Sequence, residues 1–499
     1  MRYLRSQSQS VNPAAVALFL CFLGMGIRAY FYGMNRSLWL DEIKLALNLV
    51  DRSFHGLLAP LSYDQGAPIG FILIEKFFVS LFGTSEYVFR LFPFLAGIAS
   101  LPLAYKVSQR YTKGPAPLVV LALVALSWKL IYYATELKQY SSDVFFVLLL
   151  LLTAHKCLEQ GASRTAVYLL GIVGLLSILS SHPAVFILPG IGIALAAQVW
   201  KQKEYHRFFL LAGVGIFWIA NFGLLYFLSL RHLTSSSELV TFWKVGFAPL
   251  PPWSDPGWYY HLVGFILQNP VGLPATSVTA GLLIVGALSL LYRRWPLFVI
   301  LILPFLLTLA ASALKKYPVS GRLMLFAVPL VFIVAAEGID RIWSVSRGIN
   351  KAGALCIAGL LSLYLIYGPA VQAYQHVKSP PMGEHIKPVL SYLARNLKEK
   401  DIIHVYYGAR MAFEFYAPRC KLTRVDYSVS VKAPEAPGRY LAAIDEFKGR
   451  DRVWFVFSHN CSWCQVDEER YIVGHLNQIG RMIDHFSADG AAVYLYDLE

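Results

Sequence analysis

Asp41 and Glu42 stand side by side in SLWLDEIKLALNL (37–49), just behind Trp39 and just after the first long apolar run. Further on come YATELKQYSSD (133–143), SSHP (180–183) and KKYPVSGR (315–322). A carboxylate next to an acceptor hydroxyl can serve as a general base. A guanidinium such as Arg322 can grip a phosphate through two parallel hydrogen bonds, which the ammonium groups of Lys315 and Lys316 cannot do. Lys129, Tyr133, Glu136 and Tyr140 recur at spacings of four, three and four, which predicts one polar stripe on a helix. Such a stripe either satisfies itself between packed spans or walls a water-filled cavity.

The elements that must hold these residues lie in the bilayer. Of 499 residues, 57% are hydrophobic and only 15% charged, against about 25% charged in soluble domains. The apolar runs are long and continuous, which excludes an outer-membrane barrel with its alternating ten-residue segments. Eleven spans are expected, over 13–33, 88–105, 116–134, 142–157, 165–181, 184–200, 208–230, 276–292, 296–314, 322–342 and 353–370. The first is read as an anchor and not as a cleaved signal, because it is too long and has no small-residue cleavage site. Ile69–Gly83 is also apolar, but Glu75 and Lys76 sit at its centre. A charge pair at mid-bilayer costs several kcal/mol, so this stretch is expected to be an interfacial helix.

The net charge of +14 is confined to residues 1–370, because 371–499 hold 16 basic and 16 acidic residues. With the amino terminus inside, Arg2, Arg5, Lys106, Arg110, Lys113, Lys156, Arg164, Lys201, Lys203, Arg207, Arg293, Arg294, Arg341, Arg347 and Lys351 all fall at inner edges, as the positive-inside rule requires. The neutral tail offers no basic face to a nucleic acid. Residues 1–370 are therefore expected to form a transmembrane domain and 371–499 an extracytoplasmic α/β domain. In the tail, DIIHVYYG, RVWFVFSH and AAVYLYDL read as strands, and Glu384–Leu397, Tyr440–Phe447 and Asp467–Phe486 as helices. KSPPMG (378–383) reads as the hinge.

On this topology Asp41, Glu42, Glu136, His182 and Arg322 all fall at the outer face. A base and a phosphate-gripping cation at one membrane face suggest a lipid phosphate substrate. A sugar-linked phosphate leaves as a stable anion, so no strong general acid is needed. The acceptor hydroxyl needs a base, and cations stabilise the departing charge.

SLWLDE, APIGFILIEKFFVSLFGTSEYVFRLFPFLAG (67–97), YYATELKQYSSD and YPVSGRLMLFAVPLV, in that order, together resemble the GT-C glycosyltransferases. The likeness is to the bacterial branch related to protein O-mannosyltransferases and the lipid A aminoarabinose transferase. It runs over most of 10–345, with Ala67-Pro68 where that branch often has Pro-Pro. The resemblance implies a GT-C fold with interfacial helices in the first outer loop. It implies an inverting transfer from a polyprenyl-phosphate (in bacteria, undecaprenyl-phosphate) sugar to a lipid, glycan or protein acceptor on the outer face of the bacterial inner membrane. It implies Asp41 as base with Glu42 beside it, Glu136 as the second-loop acid followed by Lys138, and Arg322 at the carrier phosphate.

Other readings stay open on the residues. Asp41 and Glu42 would also suit a helix amino-terminal cap. Glu42 with Glu136 could hold a divalent cation through oxygen ligands; some GT-C enzymes use such a metal and others do not. Trp39 reads as an interface anchor or a sugar platform, Tyr133 and Tyr140 as pocket lining, and His182 as lining or a hydrogen-bonded turn residue. Lys315 and Lys316 bind the phosphate or anchor the interface. Cys461 and Cys464 read as a structural disulfide, favoured outside the cytoplasm, with zinc (joined by Cys420 and His459) and redox chemistry as alternatives. The rival functions are a lipid-linked sugar flippase, a glycan polymerase or ligase of another fold, and a non-catalytic assembly subunit. A flippase predicts mid-membrane charges and repeated, broken helices, and neither is evident.

Overall fold

The computed structural model describes residues 12–235, 237–422, 426–430, 437–459 and 467–499. Arg2, Arg5, Cys461 and Cys464 lie outside the described residues. The chain divides into two compact units. One comprises the residues up to Gly33 together with Arg52–Ser379, and the other joins Met34–Asp51 to Pro380–Glu499. The division differs from the expected one at 370/371 in two ways. The helix Lys351–Lys378 carries on past residue 370 until Pro380 and Pro381 stop it. The acid-bearing segment after the first helix clusters with the tail.

In the first unit, eight helices among the described residues are long and apolar enough to cross a membrane. They are Pro13–Gly33, Leu91–Tyr111, Tyr140–Glu159, Ala184–Lys201, Tyr205–Leu233, Trp295–Ala313, Gly321–Ile349 and Lys351–Lys378. The other three expected spans coincide with shorter apolar helices, Ala116–Leu126, Arg164–Ser180 and Ser277–Arg293. The chain is a multi-pass membrane protein. Leu18, Phe19 and Phe22 on the first helix, and Phe209, Ile216 and Ile219 on a later one, are exposed, as lipid-facing side chains are.

Every residue from Val328 to Asp340 is buried, which makes this helix the centre of the bundle. It can approach Ser277–Arg293 backbone to backbone because two glycines face the contact. A Cβ on Gly286 would lie 1.9 Å from the Val334 carbonyl oxygen, and one on Gly338 would lie 2.2 Å from that of Leu282. Small residues permit this kind of close crossing in membranes.

The expected span 116–134 is broken. One helix ends at Leu126, and a second runs Trp128–Tyr133. The break leaves terminal carbonyls without intrahelical donors. Arg28, fully buried on the first helix, supplies them: its guanidinium donates to the oxygens of Val124 (2.9 Å) and Ala125 (3.3 Å) and to Gly24 on its own helix (3.0 Å). The expected stripe from Lys129 to Tyr140 is likewise not one helix. Residues 134–139 form turns, where the Thr135 amide and hydroxyl both donate to the Tyr132 carbonyl at 3.0 Å and tighten the chain out of the α-helical path. The expected interfacial helix forms over Ile69–Phe82, with Glu75 buried and Phe77, Leu81 and Phe82 exposed.

The second unit holds a five-stranded sheet in the order β2-β1-β3-β5-β4, with β1 Ile402–Val405, β2 Tyr427–Val429, β3 Val453–Ser458, β4 Arg481–Ala488 and β5 Ala491–Asp497. β1 runs parallel to β2 and β3, and β5 antiparallel to β3 and β4. The helix expected to reach Phe486 stops at Ile479. Beyond Gly480 the side chains alternate between outside and inside along β4, and Asp489-Gly490 turns it into β5, with Gly490 at φ +66°, the Asp-Gly hairpin signature. β2 and the helix Arg410–Tyr416 are further elements, short enough to leave little periodicity in the sequence. The core is built on β3, buried at all six positions. At its base Asp401, closed off from solvent, takes Arg452 at 2.6 Å and the Trp454 indole at 2.7 Å.

Candidate functional site

In the first unit the candidate residues gather where three segments end. Gly321 sits at φ +41°, a conformation that favours glycine, and it opens the turn that carries Arg322 into the central helix. The Arg322 guanidinium lies 5.8 Å from the ring centre of Tyr140 and 5.8 Å from that of Trp243. Tyr140 opens the helix Tyr140–Glu159 and packs edge-on against Tyr133, at 5.1 Å between centroids. Glu136, Arg322 and Tyr140 all lie within electrostatic reach of the Tyr133 hydroxyl. Glu136 is buried in the turn between the two helices.

Lys138 is also buried, and its ammonium donates to Gln65 at 2.7 Å. Gln139 donates to the Gly66 carbonyl at 3.4 Å. The 133–143 stretch is thereby tied to the loop before the interfacial helix. Tyr317 donates to the Leu323 carbonyl at 2.7 Å, which braces the loop beneath Arg322. The structure therefore brings together Tyr133, Glu136, Tyr140 and Arg322. Lys315 and Lys316 are exposed on the loop that leads in. His182 lines an apolar slot with Pro68, Ile69, Val185 and Phe222, and burial in its turn pushes the imidazole down to about 4. Sequence reasoning missed Trp243, Gln65 and Tyr317. Only Tyr317, inside the quoted loop, carried a signal.

Asp41 and Glu42 belong to the second unit. Their helix is Leu40–Asp51. Its apolar face, Ile43, Leu45, Ala46 and Leu49, is fully buried, and Asp41 is half-buried at the second helical position. Glu42 is buried, and its Oε2 accepts from the Trp39 amide at 3.3 Å. That is the return half of a capping box, so the capping role weighed for the pair holds for Glu42. Trp39 is half-buried.

The three amides around that cap are taken by the tail. Ser37 donates to His385 Nδ1 at 3.1 Å, Leu38 to the Tyr416 hydroxyl at 2.7 Å, and Leu40 to Glu384 Oε2 at 3.0 Å. The other oxygen of Glu384 meets His459 Nδ1 at 2.5 Å. The sequence reading placed Glu384 and His385 only at the start of an expected helix, Glu384–Leu397, which begins at Ile386. Among the described residues, no group of three or more His, Cys, Asp or Glu side chains is placed to hold a metal ion. Glu42 and Glu136 stand in separate units.

Many apolar helices, eight of those described long enough to cross a membrane, and a small C-terminal sheet define a class of fold shared with known proteins. Among solved structures, ArnT from Cupriavidus metallidurans in the apo state is similar at 13% identity, over 97% of this chain and 96% of that one, with a TM-score of 0.50. The Archaeoglobus fulgidus oligosaccharyltransferase, in complex with Zn and sulfate, is similar at 12% identity, over 97% and 73%, with a TM-score of 0.51. Residues 66–226 match the family described as dolichyl-phosphate-mannose-protein mannosyltransferase. No curated protein matches the sequence. The fold is thus that of ArnT and of the oligosaccharyltransferase, and one stretch of the chain matches the mannosyltransferase family. The family match includes Tyr133, Glu136, Lys138, Tyr140 and His182, and Asp41 and Arg322 lie outside it.

Proposed function

We propose that this protein is an inverting glycosyltransferase of the bacterial cytoplasmic membrane. It moves a sugar from a polyprenyl-phosphate carrier to an acceptor hydroxyl on the outer face, with the amino terminus cytoplasmic and the C-terminal domain periplasmic. Asp41 takes the proton from the acceptor hydroxyl. The freed oxygen attacks the anomeric carbon opposite the phosphate, and the carbon–oxygen bond to the carrier breaks. Its electron pair stays on the polyprenyl phosphate, where Arg322 stabilises the charge, supported by Lys138, Lys315 and Lys316. One carboxylate suffices because the nucleophile is the acceptor and not water, whose hydrolytic counterpart needs two. Glu42 and Glu136 are assigned to orient the site. Trp39, Tyr133, Tyr140 and His182 are assigned to its lining.

The observation that carries this reading is Arg322 at 5.8 Å from the ring centres of both Tyr140 and Trp243, with Tyr140 packed against Tyr133. A guanidinium flanked by rings keeps a planar fork suited to two phosphate oxygens. Mass spectrometry of lipids that co-purify with the full chain tests it. A polyprenyl-phosphate hexose, pentose or uronic acid supports the reading. Its absence, together with an Asp41→Asn variant that transfers sugar normally, ends it.

A further inference from the structure

We propose that Glu384, His385 and Tyr416 of the C-terminal domain are positioning residues for the base, an inference that rests on the reading of Asp41 as that base. Four consecutive amides, Ser37 to Leu40, each donate to a side chain, and three of the four acceptors come from this domain. The acceptors are themselves held. Glu384 meets Leu40 with one oxygen and His459 with the other. The Tyr416 side chain is fully buried. His385 Nδ1 must carry a lone pair to accept from Ser37, and the Ser37 hydroxyl in turn takes the Lys387 amide at 3.1 Å. The Lys387 ammonium closes the set on the Asn35 carbonyl at 2.6 Å, where Asn35 turns the chain at φ +47°.

These bonds fix where the helix begins, and Asp41 is its second residue. A carboxylate so near a pinned terminus has little freedom to drift. A misplacement of about 1 Å can cost on the order of 100-fold in rate. The domain thus sets the register of the reacting group.

The test uses the full chain in nanodiscs, with Asp41→Asn, Tyr416→Phe, His385→Ala and His385→Asn compared with the unaltered protein. Two readouts are taken: amide exchange over residues 37–43, and turnover of a synthetic polyprenyl-phosphate hexose. Tyr416→Phe and His385→Ala are expected to speed exchange there and to lower kcat about 10- to 100-fold while KM for the carrier stays within about twofold. His385→Asn, whose amide oxygen can take the place of Nδ1, is expected to recover most of the loss. Unchanged exchange and kcat in Tyr416→Phe and His385→Ala, beside an inactive Asp41→Asn, would overturn the positioning role and leave the base standing. Full turnover by Asp41→Asn would overturn the base, and this inference with it.

Discussion

The amide of Leu40 donates to Glu384 Oε2 at 3.0 Å across 344 residues of sequence. The bond ties the helix Leu40–Asp51, which carries Asp41, to the residues that follow the helix Lys351–Lys378. The acid segment therefore belongs, by packing, to the C-terminal domain. If Asp41 is the base, as proposed, the tail helps to hold it, and several outcomes can be expected from that and from the Arg322 cluster.

Asp41→Asn keeps the volume and the helix and removes the base. General bases contribute about 10²- to 10⁴-fold, so transfer should fall by that factor while expression and carrier binding are retained. Turnover and binding of a polyprenyl phosphate, measured side by side, check this.

Arg322→Lys preserves charge and loses the planar fork. It should weaken carrier binding and turnover by about 10-fold or more, and Arg322→Ala by more still. Titration with polyprenyl phosphate, paired with kcat, separates the two effects.

Lys138 donates to Gln65 from a buried position. Lys138→Met leaves the Gln65 oxygen without this donor and should cost about 1–3 kcal/mol. A lowered melting temperature of the purified chain is the readout.

Gly286→Ala would push a Cβ to within 1.9 Å of the Val334 oxygen. The two central helices must then separate, at a cost of about 1–3 kcal/mol. Detergent half-life should shorten, whereas Gly281→Ala on the same helix, whose Cβ would meet no atom within 4 Å, should not change it.

His404 on β1 is buried against Ser428, at 2.8 Å from its hydroxyl, and burial pushes its imidazole down to about 4. An unfolded chain takes up that proton near the ordinary pKa of about 6.5. The unfolded state thus binds more protons between these values, and stability falls as the pH drops from about 6.5 to about 4 and is flat above. The loss approaches ~3 kcal/mol at the acid end. Exchange at the β1 amides of the full chain, corrected for intrinsic rate, should show the decline, and His404→Asn should remove it.

Much of this architecture was legible because a bilayer imposes long apolar runs and a charge asymmetry. A helix lies at each expected span. What was not legible depends on partners distant in sequence. The break after Leu126 is stable because Arg28, 96 residues earlier than Val124, feeds its carbonyls. The polar stripe through Glu136 was read at helical spacing, but Thr135 diverts the backbone at that point. β4 was read as helix because its short alternation follows directly on an amphipathic helix. Asp41, Glu136 and Arg322 stood out as polar outliers at apolar borders. Trp243 and Tyr416, as ordinary aromatics, did not.

The central claim is that the Asp41 carboxylate and the Arg322 guanidinium serve one sugar phosphate. A cryo-EM structure of the full chain with bound polyprenyl-phosphate sugar measures this most directly. The account predicts the phosphate on Arg322 and the Asp41 carboxylate on the opposite side of the sugar ring. A phosphate seated elsewhere, or packed helices walling Asp41 off from the sugar, would contradict it.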